Sequence, residues 1–255
     1  MENELWLTAL LNRLLATPVT GLLETLGFHV ESPAHPIPNH VAMQLLVAGI
    51  IVIVLALVRR RLSVDKPGGL QQVLEMVVDG LGAQAEDIVG HGGKKFVPVL
   101  FTLALFIFLS NVLGLVPILE SPTGIYEPEA PFPMIGIYVT LGCALVALVY
   151  YHYWGIRHHG VFGYVRTFMG SVIFIAPLMF VIEVVSHLAR GLSLSVRLFA
   201  NMMAGHLVSL VFFSLIPVIL PVIFEGLHIF VALLQTYIFV MLTMVYLGGA
   251  VSEEH

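Results

Sequence analysis

Residues 96–119 and 132–156 contain no Asp, Glu, Lys or Arg. An uncharged apolar run of that length has one common solution. A helix rises about 1.5 Å per residue, so either run spans the roughly 30 Å hydrocarbon core of a bilayer, and only a helix satisfies its own backbone there. A third run, 41–58, follows Pro33, Pro36 and Pro38 and stops at Arg59, Arg60 and Arg61. With 58% hydrophobic and 11% charged residues and a mean hydropathy of +0.98, against the roughly 25% charged content of soluble domains, the whole chain reads as an all-α polytopic membrane protein.

The basic residues of the short loops orient it. Arg59 to Arg61, Lys66, Lys94, Lys95, Arg157 and Arg166 fall on one side if the chain crosses at each span, while Glu120, Glu127 and Glu129 fall on the other. The positive-inside rule makes the first side cytoplasmic. About five transmembrane helices then leave the N-terminus outside and the C-terminus inside. No cleavable signal is expected, because Glu2 and Glu4 precede Arg13 and no small-residue cleavage site follows an apolar core. Residues 1–40 read as an N-terminal interfacial segment, 41–166 as the first three spans, and 167–255 as a separate helical unit. The net charge of -5 is not concentrated in any block, so neither a nucleic-acid nor a polybasic lipid-binding segment is expected. The single cysteine, Cys143, lies in an apolar run and supports no disulfide or thiolate metal site.

Between the first two spans, Leu70, Val73, Leu74, Val77, Val78, Leu81, Ala85, Ile88 and Val89 recur at three- and four-residue steps. This predicts an amphipathic helix over 70–90. Its polar face carries Gln71, Gln72, Glu75, Asp79, Gln84 and Glu86 and lacks the lysines and arginines of a lipid-seeking helix. Docking on the bundle or a partner, and lying on lipid, both remain open.

The last third departs from an ordinary spanning pattern. A helix-compatible stretch over 171–214 would be roughly 66 Å long, about twice the hydrocarbon thickness. Pro177 near its start and Pro217 and Pro221 near its end bracket it, and no proline breaks the middle. A long, strongly tilted hairpin is therefore expected, turning near 215–220 and returning over 222–251. Between Thr167 and Ser252 the only formal charges are Glu183, Arg190, Arg197 and Glu225. The first three are seven residues apart and so drift only about 20° per step around one helix face, with Ser186, Ser193 and Asn201 near the same stripe. An arginine at bilayer depth costs between about 2.5 and 17 kcal/mol. An ion-pair ladder that merely joins helices is one reading of the stripe; a water-lined ion path explains the expense better. On the returning helix Glu225, His228 and Gln235 share a side, with Tyr246 further along, and an acid one turn from an imidazole makes a proton relay. His206 faces another surface of its helix.

Four segments together carry a resemblance. Leu-Ser-Leu-Ser-Val-Arg-Leu-Phe-Ala-Asn-Met-Met-Ala-Gly-His over 192–206, Leu-Gln-Thr-Tyr-Ile-Phe-Val-Met-Leu-Thr-Met-Val-Tyr over 234–246 and the ending Ser-Glu-Glu-His closely resemble subunit a of bacterial F-type ATP synthases, as does Ser-Asn-Val-Leu-Gly-Leu-Val-Pro over 110–117. The resemblance covers nearly the whole chain and implies a proton-translocating stator subunit of the FO sector in the bacterial inner membrane. Its implied partners are the c-ring, the subunit b peripheral stalk and the other ATP synthase subunits; no cofactor, metal or nucleic acid is implied. It makes Arg197 the essential charge facing the c-ring carboxylates, with an aqueous half-channel on either side. Asn201 and Gln235 match polar positions beside that arginine, Glu183 matches an acid of the tilted helix, and His206 with His228 matches the pair lining one half-channel. Arg190 and Tyr246 are further candidates.

Two departures stand out. Family members often pair an acid with a histidine where this chain has His206 and His228, and Glu225 is expected to supply the missing acid. The loop over 120–133 is acidic, either collecting protons at the outer mouth or simply solvated. The histidine-rich path favours H+ over Na+. A secondary transporter would show internal repeats and paired broken helices, and neither occurs; a non-conducting scaffold would leave Arg197, Glu225, His206 and His228 unexplained. No Gly-x4-Gly-Lys-Ser/Thr loop is present, so nucleotide chemistry is assigned to partner subunits.

Overall fold

The computed structural model describes residues 5–25, 27, 35–114, 137–169, 173–215 and 219–252. Among these there is no strand, and seven α-helices follow one another: α1 (Trp6–Thr25), α2 (Asn39–Arg60), α3 (Gly69–Val89), α4 (Val97–Leu113), α5 (Ile137–Thr167), α6 (Ala176–Leu215) and α7 (Ile219–Val251). Five are long and apolar enough to cross a membrane, α4 together with the 3-10 turn Gly93–Phe96 that leads into it. The all-α polytopic architecture expected from the sequence is the one found. The acidic loop 120–133, the hairpin turn 216–218 and the tail 253–255 lie outside the described residues.

α7 is the central helix. It packs against α3, α4, α5 and α6, while α2 leans on α4 and α1 on α2. One core joins Leu81, Ala85, Phe96, Leu100 and Tyr151 to Val240, Met244 and Leu247. A second joins Leu103 and Ile107 of α4, Ala144 and Ala147 of α5, Leu194, Leu198 and Met202 of α6, and Phe239 of α7. Outward-facing leucines, valines and isoleucines are abundant on α2, α5, α6 and α7, as lipid contact permits. α1 is tied down by Asn12, whose side chain donates to the Ile37 carbonyl at 3.1 Å and accepts from the Ile37 amide at 3.0 Å.

The amphipathic helix is divided between the two roles left open by its sequence. Leu81 and Ala85 are buried on the bundle, with Ile88 and Val89 packed alongside, whereas Leu70, Val73, Met76, Val77 and Val78 are exposed. Its docked half depends on close backbone approach. A Cβ on Gly93 would overlap the Ala85 carbonyl, and one on Gly248 would lie 2.9 Å from the Ile88 carbonyl oxygen.

The third span also differs from its expected form. Helix α5 runs to Thr167, beyond the uncharged stretch ending at residue 156, and breaks at Gly160, which has φ 72° and ψ 164°. That left-handed φ suits glycine and turns the chain back. Tyr164, which in a straight helix would stand about 13 Å beyond Gly155, instead lies against it, where a Cβ on Gly155 would overlap the Tyr164 ring. The long helix expected over 171–214 is found as the unbroken 40 residues of α6, and α7 has 33. At 1.5 Å per residue these are about 60 and 50 Å long, so neither stands upright within a 30 Å core.

Gly93→Ala is expected to destabilise the junction of α3 and α4 by about 1–3 kcal/mol through overpacking. Gly142→Ala, where an added Cβ meets nothing within 4 Å, is the control. Thermal unfolding of the two variants in one detergent checks this, with a lowered midpoint for the first alone.

Candidate functional site

The apolar stripe Leu194, Leu198 and Met202 fixes how α6 sits. Residues spaced by four share a face, and this face is buried against α4, α5 and α7. Ser195 is buried beside it, its hydroxyl 3.3 Å from that of Thr140 on α5. Arg197, off this stripe, is consequently exposed. No ion pair or hydrogen bond reaches its guanidinium from the described residues.

Toward the start of α6 the polar groups are closely paired. A Glu183 carboxylate oxygen lies 3.4 Å from Nε2 of His187 and 3.6 Å from a guanidinium nitrogen of Arg190. Nδ1 of His187 is 2.9 Å from the Tyr151 hydroxyl of α5. With Nε2–H turned to the carboxylate, Nδ1 is left to accept from that hydroxyl, giving a continuous line Glu183–His187–Tyr151. The imidazole is stacked between Phe168 and Tyr151, with the His152 ring 4.8 Å away on edge. Arg190 also lies over the Tyr246 ring at 5.3 Å, which brings α7 into the same cluster.

Toward the other end several polar atoms are buried and left unbonded among the described residues. His228 of α7 sits on Gly205 of α6, so that a Cβ there would overlap the imidazole. One turn further, Phe212 and Phe224 stack with centroids 4.0 Å apart. Asn201 Nδ2, Gln235 Nε2 and Glu225 Oε1 are buried without a hydrogen-bond partner. No hydrogen bond or ion pair joins Glu225 to His228 among the described residues, and the side chain of His206 lies outside them.

The sequence-predicted residues therefore fall into three groups along the hairpin: Glu183 and Arg190 with Tyr246, then Arg197 by itself, then Asn201, Gln235, Glu225 and His228. His187, Tyr151 and His152 were not among them. The signal for His187 was its place one turn after Glu183; the two residues on α5 lay within an aromatic run of a span.

Fold and charge placement define a class: a polytopic membrane protein whose long terminal hairpin carries, between two sets of polar residues, a cation without a partner among the described residues. The ATP synthase A chain family profile matches residues 41–248, and the chain belongs to that family. It is 46% identical to the ATP synthase subunit a of Koribacter versatilis over 255 residues, all of both chains. It is 46% identical to that of Solibacter usitatus over 222 residues, 87% of this chain and 91% of the relative. For Trichlorobacter lovleyi the figures are 38% over 206 residues, 81% and 84%.

Tyr151→Phe removes the hydroxyl that His187 meets and keeps the ring. The expected loss is about 0.5–1.5 kcal/mol for one hydrogen bond, seen as a thermal midpoint lowered by about 1–6 °C in a chain of this size. An unchanged midpoint would place the hydroxyl outside the cluster's bonding.

Proposed function

We propose that this chain is the proton-translocating stator subunit of the FO sector of a rotary ATP synthase, resident in the bacterial inner membrane. The observation that carries the reading is Arg197, an exposed guanidinium without a partner among the described residues, about halfway along a 40-residue helix. In lipid such a charge needs a counter-ion, and the family membership supports a carboxylate of the rotating c-ring in that place. The other ATP synthase subunits, among them the subunit b stalk, complete the stator and carry the nucleotide chemistry.

Arg197 acts on the passing carboxylate by favouring its ionised form. At 4 Å the attraction is about 1 kcal/mol in water and about 4 kcal/mol at an effective dielectric of 20. A protonated ring site approaching the arginine loses its proton to water on one side, and the bare carboxylate moving away takes up another from the opposite side. The fixed cation separates the two half-channels because an excess proton is repelled from the gap between them.

The two polar clusters supply the half-channels. Glu183, with His187 and Tyr151, lies about 21 Å along the axis before Arg197, at the end that the basic loops assign to the cytoplasm. Asn201, Gln235, Glu225, His228 and His206 lie on the outer side, with Glu225 as the acid of that path. Buried polar atoms without partners cost about 1–3 kcal/mol each, and Asn201 Nδ2, Gln235 Nε2 and Glu225 Oε1 favour a path lined with water. Residues 167–255 thus form most of the ion-conducting unit, and 41–166 brace it and contribute Tyr151.

ATP-driven acidification of inverted membrane vesicles tests the reading. Arg197→Ala is expected to abolish acidification at equal content of assembled complex, and normal pumping would sink the mechanism. Glu225→Gln is expected to slow pumping without uncoupling it from ATP hydrolysis; an unaltered rate would remove Glu225 from the path.

A further inference from the structure

At the end of the bundle where α4 begins, two cations share one indole. The Lys95 ammonium lies 4.9 Å from the centroid of Trp154 and 4.7 Å from that of Phe96, and the Arg157 guanidinium carbon lies 5.4 Å from Trp154. The indole is held edge-on by Phe96 at 5.2 Å and by Tyr153 at 5.8 Å. Arg157 donates to the Tyr153 hydroxyl at 2.9 Å. Neither cation meets a carboxylate among the described residues: the nearby acid Glu86 is taken by Lys94.

Two like charges held on the same ring repel, and each keeps most of its donors free. Lys95 lies in the 3-10 turn Gly93–Phe96, two residues before Val97, the first residue of α4. Trp154 stands about 26 Å along α5 from Ile137, close to one hydrocarbon thickness. Lys95, Tyr153 and Arg157 are exposed. The cluster thus has an interfacial depth, where tryptophan and tyrosine anchor spans and lysine and arginine reach for headgroups.

We propose that Lys95 and Arg157, held on the faces of Trp154, form a binding site for the phosphate of an anionic phospholipid headgroup. A phosphodiester contacted by both cations beside the indole would offset their repulsion, and arginine's fork suits a phosphate oxygen pair. Basic residues near an anionic membrane surface contribute about 1 kcal/mol each, so the pair predicts a preference of about tenfold or more for anionic over zwitterionic phospholipid. The site is separate from the hairpin, and its failure would leave the proton-path reading standing.

Trp154 reports on its own site, because the chain has only one other tryptophan, Trp6. The full-length Trp6→Phe chain in zwitterionic micelles is titrated with bromine-labelled phosphatidylglycerol or bromine-labelled phosphatidylcholine, and quenching of Trp154 fluorescence is followed. Quenching by phosphatidylglycerol at about one tenth of the concentration is expected. The Lys95→Gln/Arg157→Gln chain should bring the two curves together, and the charge-keeping Lys95→Arg/Arg157→Lys chain should keep them apart. Equal quenching by both lipids in the parent, or an undiminished preference in the glutamine variant, overturns the proposal. Displacement of the labelled lipid by millimolar inorganic phosphate would assign the cations to a free anion and overturn the lipid assignment.

Discussion

A guanidinium stays charged under all conditions a cell offers, and α6 carries one on a helix too long to stand upright in the hydrocarbon. Much of the hairpin follows from that combination. The buried apolar face of the middle of α6 is the stripe of Leu194, Leu198 and Met202, which leaves room for a polar stripe elsewhere on the same helix. Close packing is achieved with small residues: Ala144 and Ala147 lie in the core that α6 shares with α5, and Gly191 lies so near Leu148 that an added Cβ would meet its methyl at 2.9 Å. Gly205 similarly makes the seat for His228. A helix bearing larger residues at these points would stand off from its neighbours, and the polar groups of α5 and α7 would no longer reach it.

The two polar ends of the hairpin solve burial differently. Around Glu183 each charge has a protein partner, and His187 receives contacts from carboxylate, hydroxyl and two aromatic faces at once. Glu183 and Arg190 are only half-buried, and it is the buried His187, bonded at one ring nitrogen and paired at the other, that ties the cluster to one geometry. Around Asn201, Gln235 and Glu225 the protein supplies position without bonds. Groups left in that condition are readily hydrated wherever space allows. One end is therefore suited to handing a proton between fixed side chains and the other to conducting it through water, a contrast that bears on the two proposed half-channels.

The spans were legible in the sequence because hydrocarbon imposes a single rule on the backbone, and charge-free length is enough to state it. The 40-residue α6 was legible for a related reason: prolines at both margins and none between leave the helix uninterrupted. What the sequence concealed was the meeting of distant groups. Tyr151 and His152 lie in a stretch whose composition suits a span, and only the packing of α5 on α6 turns them toward His187. The fold-back at Gly160 was equally hidden, since a glycine in an aromatic run does not announce a positive φ. For the amphipathic helix, periodicity identified an apolar face but carried no information on its division, which is set by where Gly93 and Gly248 admit the backbone. Nor did the sequence show that the His228 ring would lie against Gly205 of the facing helix.

The surroundings of Arg197 set limits on any partner. Leu192 and Val196 on its own helix and Leu233, Leu234 and Ile238 on α7 are exposed apolar residues, so the outer surface of the hairpin is largely hydrocarbon-like. In such surroundings the effective dielectric falls and the attraction of a carboxylate to the guanidinium rises several-fold over its value in water. Strong attraction alone would trap the partner. A carboxylate leaving the arginine must be neutralised before it enters the apolar zone, because an isolated ion there is far costlier than a protonated acid. On the proposed mechanism, a turn away from Arg197 would therefore require a proton from one of the flanking groups, and the apolar surface beside the arginine would be as necessary to coupled rotation as the charge, for a wetter surface would let an ionised carboxylate slip past without taking up a proton.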